Sequence, residues 1–219
     1  MPRVYAALMV AMGCLCGTVA SAETILFANL TNAQENPPAV PMTTTGDPRP
    51  ASGGTAMFIL NDAMTSLSFA VTINNIDFTG TQTSDPNDNL TLAHIHAPAP
   101  PGQNAAVVWG FIGMPFNDTN PTDTVIVPFT TGVGGMVMTK WDAPEGNNTT
   151  LAAQLANILA NRSYINFHTV QFPGGEVRGQ ILVQDGPTAP VPEPSTMLMV
   201  GFGSAALVRY ARRRRKGDV

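Results

Sequence analysis

The middle of the chain consists of short segments in which apolar and polar side chains alternate. Between residues 67 and 73, four apolar side chains alternate with small or polar ones, the period-two pattern of a half-buried strand. An apolar run over 55–60 comes before it, and a turn at Asn61 joins the two, so we expect a β-hairpin. Further strands are predicted over residues 24–30, 90–96, 106–113, 124–129, 133–139, 163–168 and 176–183. Together the segments predict an all-β sandwich or barrel of about seven to nine strands.

One segment has the period of a helix instead. Its apolar positions recur at helical spacing, at Leu151, Leu155, Ile158 and Leu159. Thr150 provides a side chain for an N-cap, and Asn161 marks the end of the pattern. We therefore predict one short helix near residues 150–160 that covers one end of the core.

Charge is distributed unevenly and limits the classes of partner. Charged residues make up 12% of the sequence, about half of the roughly 25% that is usual in globular domains. Residues 23–190 contain four cations against 13 acids, a net charge of −9. This charge disfavours nucleic acid as a partner, because phosphate contacts need lysine and arginine. Both cysteines, Cys14 and Cys16, lie before residue 23, so the body of the chain has no disulfide.

Residues 1–22 have the organisation of a secretory signal peptide. Arg3 provides a positive n-region, an uncharged apolar run follows over 4–19, and Ala20-Ser21-Ala22 forms an A-x-A cleavage site. We expect signal peptidase to cleave after Ala22. The alternatives are an uncleaved transmembrane anchor and lipoprotein processing at Cys14, which lacks the usual aliphatic residue three positions before it.

Three unlike features follow one another at the C-terminus. Pro192-Glu193-Pro194 precedes an apolar run over 196–208, and an arginine-rich cluster follows over 209–216. This order resembles the PEP-CTERM sorting signal, which implies processing by an exosortase-type enzyme in bacteria that make exopolysaccharide. The apolar run has 13 residues, fewer than the ~20 that span a bilayer. We therefore expect temporary anchoring through a C-terminal hydrophobic helix; the alternative is a permanent tail anchor.

These features predict four parts of the chain. They are a signal peptide over 1–22, a β-sandwich domain over 23–185, a linker with the Pro-Glu-Pro motif over 186–195, and a hydrophobic sorting helix with a basic tail over 196–219. We expect the protein to be exported, anchored in the membrane through the C-terminal helix, and then located at the cell surface or outside the cell.

The three histidines of the chain all lie on predicted strands. His94 and His96 are two residues apart on one strand, so their side chains share a face. Two later strands carry polar rows, each row on one face: Tyr164, Asn166 and His168, then Glu176, Arg178 and Gln180. A His-x-His pair on a strand can place two imidazoles on one metal ion, and His168 is a third candidate ligand. The sequence contains no nucleophile elbow or phosphate loop, and no catalytic residue is assigned.

Four pieces of the sequence resemble the CHRD domain, a family named for its occurrence in chordin. They are residues 30–38, 93–96, 164–169 and 173–180. Asn36 departs from the more usual Glu-Val-Pro-Pro form of the first piece. The resemblance spans about residues 24–183 and implies an immunoglobulin-like or superoxide-dismutase-like β-sandwich. It implies no settled biochemical activity.

Two interpretations of the histidines are open. They can belong to a polar network that fixes strand register, together with Gln34, Glu35, Asn166, Glu176, Arg178 and Gln180. Alternatively, His94, His96 and His168 bind copper or zinc, and affinity should then weaken below an imidazole pKa of about 6.5. The Arg178 cation opposes a bound metal unless Glu35 or Glu176 neutralises it.

The function expected from these features is non-enzymatic. It is binding, adhesion or structure at the cell surface or in the extracellular matrix, with exopolysaccharide or surface proteins as partners and no nucleic acid. The alternative is a metal-binding protein or an oxidoreductase similar to superoxide dismutase that uses the three-histidine site. Against that enzyme, three histidines cannot supply both of its metal sites.

Overall fold

The computed structural model describes residues 23–184. The predicted signal peptide and the C-terminal sorting signal lie outside the described residues. Within 23–184, no helix is long and apolar enough to cross a membrane.

The described part of the chain contains nine strands that pair antiparallel into one sheet. In chain order they are β1 (Thr24–Thr31), β2 (Gly53–Leu60), β3 (Ser66–Asn74), β4 (Leu90–His96), β5 (Val107–Ile112), β6 (Val125–Pro128), β7 (Gly134–Asp142), β8 (Ser163–Thr169) and β9 (Val177–Val183). Their spatial order is β5-β4-β8-β9-β1-β2-β3-β7-β6. Every strand lies in a segment where the alternating pattern predicts one, and the all-β fold class is confirmed.

The predicted hairpin of β2 and β3 is present, and β8 and β9 form a second hairpin. β2 pairs with β3 in a register that places Phe58 opposite Phe69, and β8 pairs with β9 so that Asn166 lies opposite Arg178. The second hairpin places the polar rows of the two strands side by side on one face of the sheet. The alternate residues, such as Ile165 and Phe167, point into the core and are fully buried.

The sheet curls so that its two halves face each other across an aromatic core. Phe69 of β3 contacts Trp109 and Phe111 of β5, with ring centroids 5.9 and 5.2 Å apart. Trp109 also stacks on Trp141 of β7, with a centroid separation of 5.6 Å. These strands are distant in the sheet order, so the contacts require the two halves to pack as the layers of a sandwich.

The described residues include one α-helix, α1 (Leu151–Leu159), as the periodicity predicts. The Thr150 hydroxyl accepts a hydrogen bond from the Ala153 N–H at 3.3 Å and caps its N-terminus. Leu151 and Ile158 are buried, whereas Leu159 is partly solvent-exposed. The Asn161 side chain follows the helix and accepts a hydrogen bond from the Val183 N–H at 2.8 Å, which connects the helix end to β9.

Two loops cover the outer face of β4, β8 and β9. The loop over 97–106 is attached to the sheet where Gln180 Nε2 donates to the Ala99 carbonyl at 2.9 Å. The loop that follows β5 is attached where the Asn117 N–H donates to the Gly110 carbonyl at 2.8 Å. The polar face that the sequence predicts for these strands is therefore enclosed rather than solvated.

Candidate metal centre

The three histidines lie on adjacent strands and share the covered outer face. His94 and His96 alternate with the core residues Ala93 and Ile95 along β4. β4 pairs with β8 in a register that places His94 opposite Asn166 and His168 opposite Leu92, one step along the same face. Strand pairing alone therefore brings His168 beside the His-x-His pair.

The imidazoles converge on a common point. One ring nitrogen from each histidine can be chosen so that all three lie within 4.8 Å of one another. The closest pair is His94 Nδ1 and His168 Nε2, which are 3.2 Å apart. Nitrogen ligands about 2.0–2.1 Å from a tetrahedral metal lie roughly 3.4 Å apart. A small inward movement of His96 would therefore complete a three-nitrogen site.

The other ring nitrogen of each histidine contacts a backbone carbonyl. His94 Nε2 lies 3.2 Å from the Met114 oxygen, His96 Nδ1 lies 2.9 Å from the Ala105 oxygen, and His168 Nδ1 lies 2.8 Å from the Pro173 oxygen. A carbonyl oxygen can only accept, so each of these nitrogens carries the hydrogen. The nitrogens that face the common point are consequently unprotonated in the neutral rings.

Several hydrogen-bond acceptors therefore face one another at the centre, and none of them carries a hydrogen. His96 Nε2 is buried and has no hydrogen-bond partner in residues 23–184. Asn166 Oδ1, also an acceptor, lies 3.1 Å from His168 Nε2. Acceptors that face each other in a buried site need a donor or a cation between them, which a bridging water, a proton or a metal ion can supply. A second-shell carbonyl on each imidazole is also the usual arrangement around a bound metal.

Burial and the mutual repulsion of the rings disfavour protonation of the three imidazoles. Burial lowers the pKa of His94 to about 4, and the neighbouring imidazoles of His168 and His96 add to this effect. Burial also lowers the pKa of His96 to about 4, despite the opposing effects of the Ala105 carbonyl and the Asn166 amide. The pKa of His168 is lowered by burial as well. All three rings are therefore neutral near pH 7, the form that binds a metal ion.

Gly110 provides the space for the loop that holds His94. It lies opposite His94 on β5. A Cβ at this position would overlap the Pro115 carbonyl oxygen and would lie 3.0 Å from His94 Cδ2. A side chain here would therefore displace the loop whose Met114 carbonyl orients the His94 ring.

The residues that form this centre lie within a recognisable domain. The sequence model of the CHRD domain matches residues 26–181, which is most of the chain. The chain belongs to the CHRD domain family. The PEP-CTERM protein-sorting motif matches residues 190–216. No curated protein and no solved structure matches the chain.

The sorting motif has direct consequences for this CHRD-domain protein. It implies export, anchoring in the membrane before processing, and cleavage by exosortase-type machinery. Secretion and display at the cell surface follow from the same signal. The predicted cleavage after Ala22 and the division of the chain into four parts stay predictions.

Most of the predicted polar network of the CHRD domain lies beside the histidines. Asn166 contacts His168, as described above, and the Arg178 guanidinium donates to Gln180 Oε1 at 3.3 Å. Gln34 Oε1 accepts a hydrogen bond from the Gln180 N–H at 3.2 Å. Glu35 is buried, and burial raises its pKa to about 7 against the lowering effects of Arg178, the Asn166 amide and the Asn36 N–H.

Glu176 differs from the expectation that it shares a face with Arg178 and Gln180. Its carboxylate pairs with Arg49 Nη2 at 3.0 Å and accepts hydrogen bonds from the hydroxyls of Thr169 and Ser52. The physical reason is that β9 begins at Val177, so Glu176 precedes the regular alternation of the strand. Glu176 therefore neutralises Arg49 rather than a cation beside the histidines.

Tyr164 is the site residue whose role the sequence leaves undefined. Its ring stacks on His96, with centroids 4.6 Å apart. Arg178 Cζ lies 3.5 Å from the centroid of the same ring. β8 lies between β4 and β9, so Tyr164 separates the Arg178 cation from His96. The repulsion that Arg178 would exert on a bound metal is reduced by this spacing.

Proposed function

We propose that this exported CHRD-domain protein is a non-enzymatic binding protein of the cell surface or extracellular matrix. We further propose that it holds one copper or zinc ion on His94, His96 and His168. The observation that carries the metal proposal is the orientation of the rings. Each imidazole uses one nitrogen on a backbone carbonyl and directs the other, without a hydrogen, at a shared point.

The donor set supports a borderline transition metal over a hard cation. Three neutral imidazole nitrogens suit copper and zinc, whereas calcium and magnesium require oxygen ligands. Asn166 Oδ1 lies 3.1 Å from His168 Nε2 and is a protein oxygen that can approach a fourth position. The three histidines would hold the ion, and the carbonyls of Ala105, Met114 and Pro173 would keep the rings in the ligating tautomer.

Enclosure of the centre supports binding over turnover. The three histidines are at most 7% exposed, and two loops cover them. A metal site that binds its substrate for hydrolysis or oxidation needs a coordination position that the substrate can reach. An ion at this position would instead stabilise the covered face or be stored there. An oxidoreductase similar to superoxide dismutase has less support, because residues 23–184 contain one group of three or more potential ligands.

Metal analysis of the exported protein tests this proposal. The full chain should be purified from its host without a polyhistidine tag, because a tag would itself bind copper and zinc and hide the contribution of the three native histidines. We expect one equivalent of copper or zinc by mass spectrometry, and we expect His96→Gln and His168→Gln to carry less than a tenth of it. Val170→Ala, an exposed position just after β8, is the matched control and should retain the metal.

Two outcomes would reject the proposal. The first is a wild-type protein that stays metal-free after incubation with copper and zinc. The second is equal metal content in the wild type and the histidine variants, which would locate the metal elsewhere. If His96→Ala reduced stability and left metal content unchanged, the histidines would form a structural network instead.

A further inference from the structure

A cavity of about 380 Å³ opens on the covered face of the sheet, next to β9 and the loop that follows β1. Its polar wall consists of Gln34, Glu35, Arg178 and Gln180, and Pro101 and Gly102 lie at its rim. The volume lies within the range of about 300–1,000 Å³ that small-molecule sites occupy. None of the three histidines lines it, so the cavity is separate from the metal centre.

Arg178 is a buried cation that no carboxylate of the described residues contacts directly, although Glu35 lies close enough to interact with it electrostatically. The residue is 1% exposed, and no carboxylate lies within 4 Å of its guanidinium in residues 23–184. Within residues 23–184 its hydrogen bonds go to neutral acceptors at long distances: the Asn104 side chain and Gln180 Oε1, each at 3.3 Å, and the Pro100 carbonyl at 3.4 Å. The buried Arg49, by contrast, has a carboxylate at 3.0 Å. Buried guanidinium groups are normally paired, so Arg178 has capacity for an anion.

Glu35 is an unsatisfied acceptor in the same cavity. Its Oε1 is buried and has no hydrogen-bond partner in the described part of the chain. Burial also raises the pKa of this carboxyl to about 7, so an approaching anion meets less repulsion here than beside an ordinary carboxylate. A donor supplied by a ligand would satisfy Oε1.

The neighbouring amides are already occupied. Gln180 Nε2 donates to the carbonyls of Ala99 and Asn161, at 2.9 and 2.8 Å. Gln34 Oε1 accepts from the Gln180 N–H. These side chains hold the wall in place. Among the described polar residues of the wall, Arg178 and Glu35 keep unused bonding capacity.

We propose that this cavity binds a small carboxylate-bearing molecule. Its carboxylate pairs with the Arg178 guanidinium, and a hydroxyl or ammonium hydrogen elsewhere in the molecule donates to Glu35 Oε1. A planar guanidinium can hold a carboxylate through two parallel N–H donors, which a lysine cannot do. The donor comes either from a hydroxy acid such as a sugar acid or from an amino acid.

Calorimetric titration of the full-length protein with four probes tests the ligand class. Glucuronate offers a carboxylate and hydroxyls, glycine offers a carboxylate and an ammonium group, acetate offers the carboxylate alone, and glucose offers hydroxyls alone. We expect glucuronate or glycine to bind at least tenfold more tightly than acetate, and glucose not to bind. The probe that binds identifies the source of the donor. Equal affinity for acetate would overturn the role of Glu35, and failure of all four probes at 10 mM would overturn the proposal.

Variants test the location. Arg178→Lys should weaken binding at least tenfold, because it keeps the charge and loses the paired donors. Glu35→Gln keeps an acceptor oxygen, so it should leave glucuronate binding within about threefold of wild type and weaken glycine binding. Arg162→Lys makes the same substitution at an exposed arginine and is the charge-matched control, which should bind normally.

A rim variant covers the case in which Arg178→Lys does not fold. Pro101→Trp fills the mouth of the cavity from an exposed loop position and should abolish binding with an unchanged circular dichroism spectrum. Normal binding in Pro101→Trp would overturn the proposal. Because this site does not use the histidines, His94→Gln, which leaves the stack of His96, Tyr164 and Arg178 in place, should bind the probes as wild type does. Failure here is therefore distinguishable from failure of the metal proposal.

Discussion

The rings of His96 and Tyr164 stack with their centroids 4.6 Å apart and their planes inclined by only 3°. The two residues are direct neighbours across the pairing of β4 with β8. The stack fixes the plane of the His96 ring, while the Ala105 carbonyl fixes its rotation through Nδ1. Two independent contacts therefore aim His96 Nε2 at the other histidines.

Removing the Tyr164 ring from the stack should weaken metal binding by the folded protein, in addition to any loss of stability. We expect Tyr164→Leu to lower the affinity for copper or zinc about tenfold, the lower limit for loss of a group that orients a ligand. Tyr164→Phe keeps the ring and loses only a long contact between its hydroxyl and the Ala105 N–H at 3.4 Å, so its affinity should equal that of wild type. Competition against a chelator measures both, and equal affinities in the two variants would contradict the positioning role.

The buried imidazoles should make the metal-free protein sensitive to acid. Since the pKa values of His94 and His96 fall to about 4 in the folded state, the unfolded chain binds more protons between pH 6.5 and 4. The free energy of unfolding should therefore decrease as pH falls through this window, by up to about 3 kcal/mol for each histidine. Urea unfolding at pH 7, 6, 5 and 4 measures the slope. A stability that is flat over this window would contradict the burial argument.

Glu35 changes the free energy of unfolding with pH in the direction opposite to the histidines, over an overlapping pH range. Its folded pKa of about 7 lies above the ordinary value of 4.5 for a glutamate, so the folded state holds more protons between these pH values. This contribution decreases as pH rises from 4.5 to 7 and partly offsets the histidines. Glu35→Gln removes it, so the acid slope should become steeper in this variant. An unchanged slope would show that Glu35 does not titrate in this range.

The low histidine pKa values also change the expected pH dependence of metal binding. A pKa of about 6.5 predicts loss of metal just below neutral pH. Values of about 4 for His94 and His96 move proton competition at the folded site to more acidic solutions. We expect the full chain to keep its metal at pH 5.5 and to lose it near pH 4. Dialysis followed by metal analysis distinguishes the two ranges.

Periodicity in the sequence predicts the strands and the shared face of the histidines, and its success has a simple cause. Alternation along β4 and β8 depends only on local backbone geometry, so His94, His96 and His168 could be assigned to one side. The carbonyls of Ala105, Met114 and Pro173 could not be predicted in the same way. They come from irregular loops, whose paths are determined by tertiary contacts rather than by a period. The prediction that Glu176 shares a face with Arg178 is wrong for a related reason, because regular alternation applies only from Val177, where β9 begins.

The Arg49–Glu176 pair should contribute strongly to stability. The two side chains are 5% and 0% exposed and lie 3.0 Å apart. Glu176→Gln leaves the guanidinium buried without its anion, so we expect a loss of about 3–5 kcal/mol in the free energy of unfolding. Metal content should not change, because the carboxylate does not contact the histidines. Urea unfolding and metal analysis of the same preparation test both statements.

A surface ion pair provides the comparison. Lys140 Nζ lies 2.9 Å from Asp123 and 3.2 Å from Asp142, and the lysine side chain is 33% exposed. Water and salt screen such pairs, so Lys140→Ala should cost about 1 kcal/mol or less. If Lys140→Ala lost as much stability as Glu176→Gln, burial would not be the reason that the Arg49–Glu176 pair contributes more.

The sorting signal predicts a processed C-terminus. Cleavage near Pro192-Glu193-Pro194 removes the apolar run and the basic cluster, so the surface form should lack residues 212–216. Replacing Glu193 with Ala, or deleting 209–216, should leave the protein in the inner membrane. Mass spectrometry of surface and membrane fractions measures this. A surface form that retains 212–216 would indicate a permanent anchor.

Gly175 and Gly174 provide a matched pair for the turn that closes the site between β8 and β9. Gly175 has a φ of +128°, and a Cβ there would overlap Glu35 Oε1 and Asn166 Nδ2. A Cβ at Gly174 would meet nothing within 4 Å. We expect Gly175→Ala to cost about 3 kcal/mol, through backbone strain and displacement of Asn166, and Gly174→Ala to stay within about 0.5 kcal/mol of wild type.

The same pair separates a stability effect from an effect on the site. Asn166 contacts His168 at 3.1 Å, so its displacement in Gly175→Ala should also lower metal affinity, measured at a temperature where the variant is fully folded. Gly174→Ala should bind the metal as wild type does, because its added methyl group contacts neither Glu35 nor Asn166. Equal metal affinity in the two folded variants would mean that Asn166 does not position His168, and the turn would then contribute to stability alone.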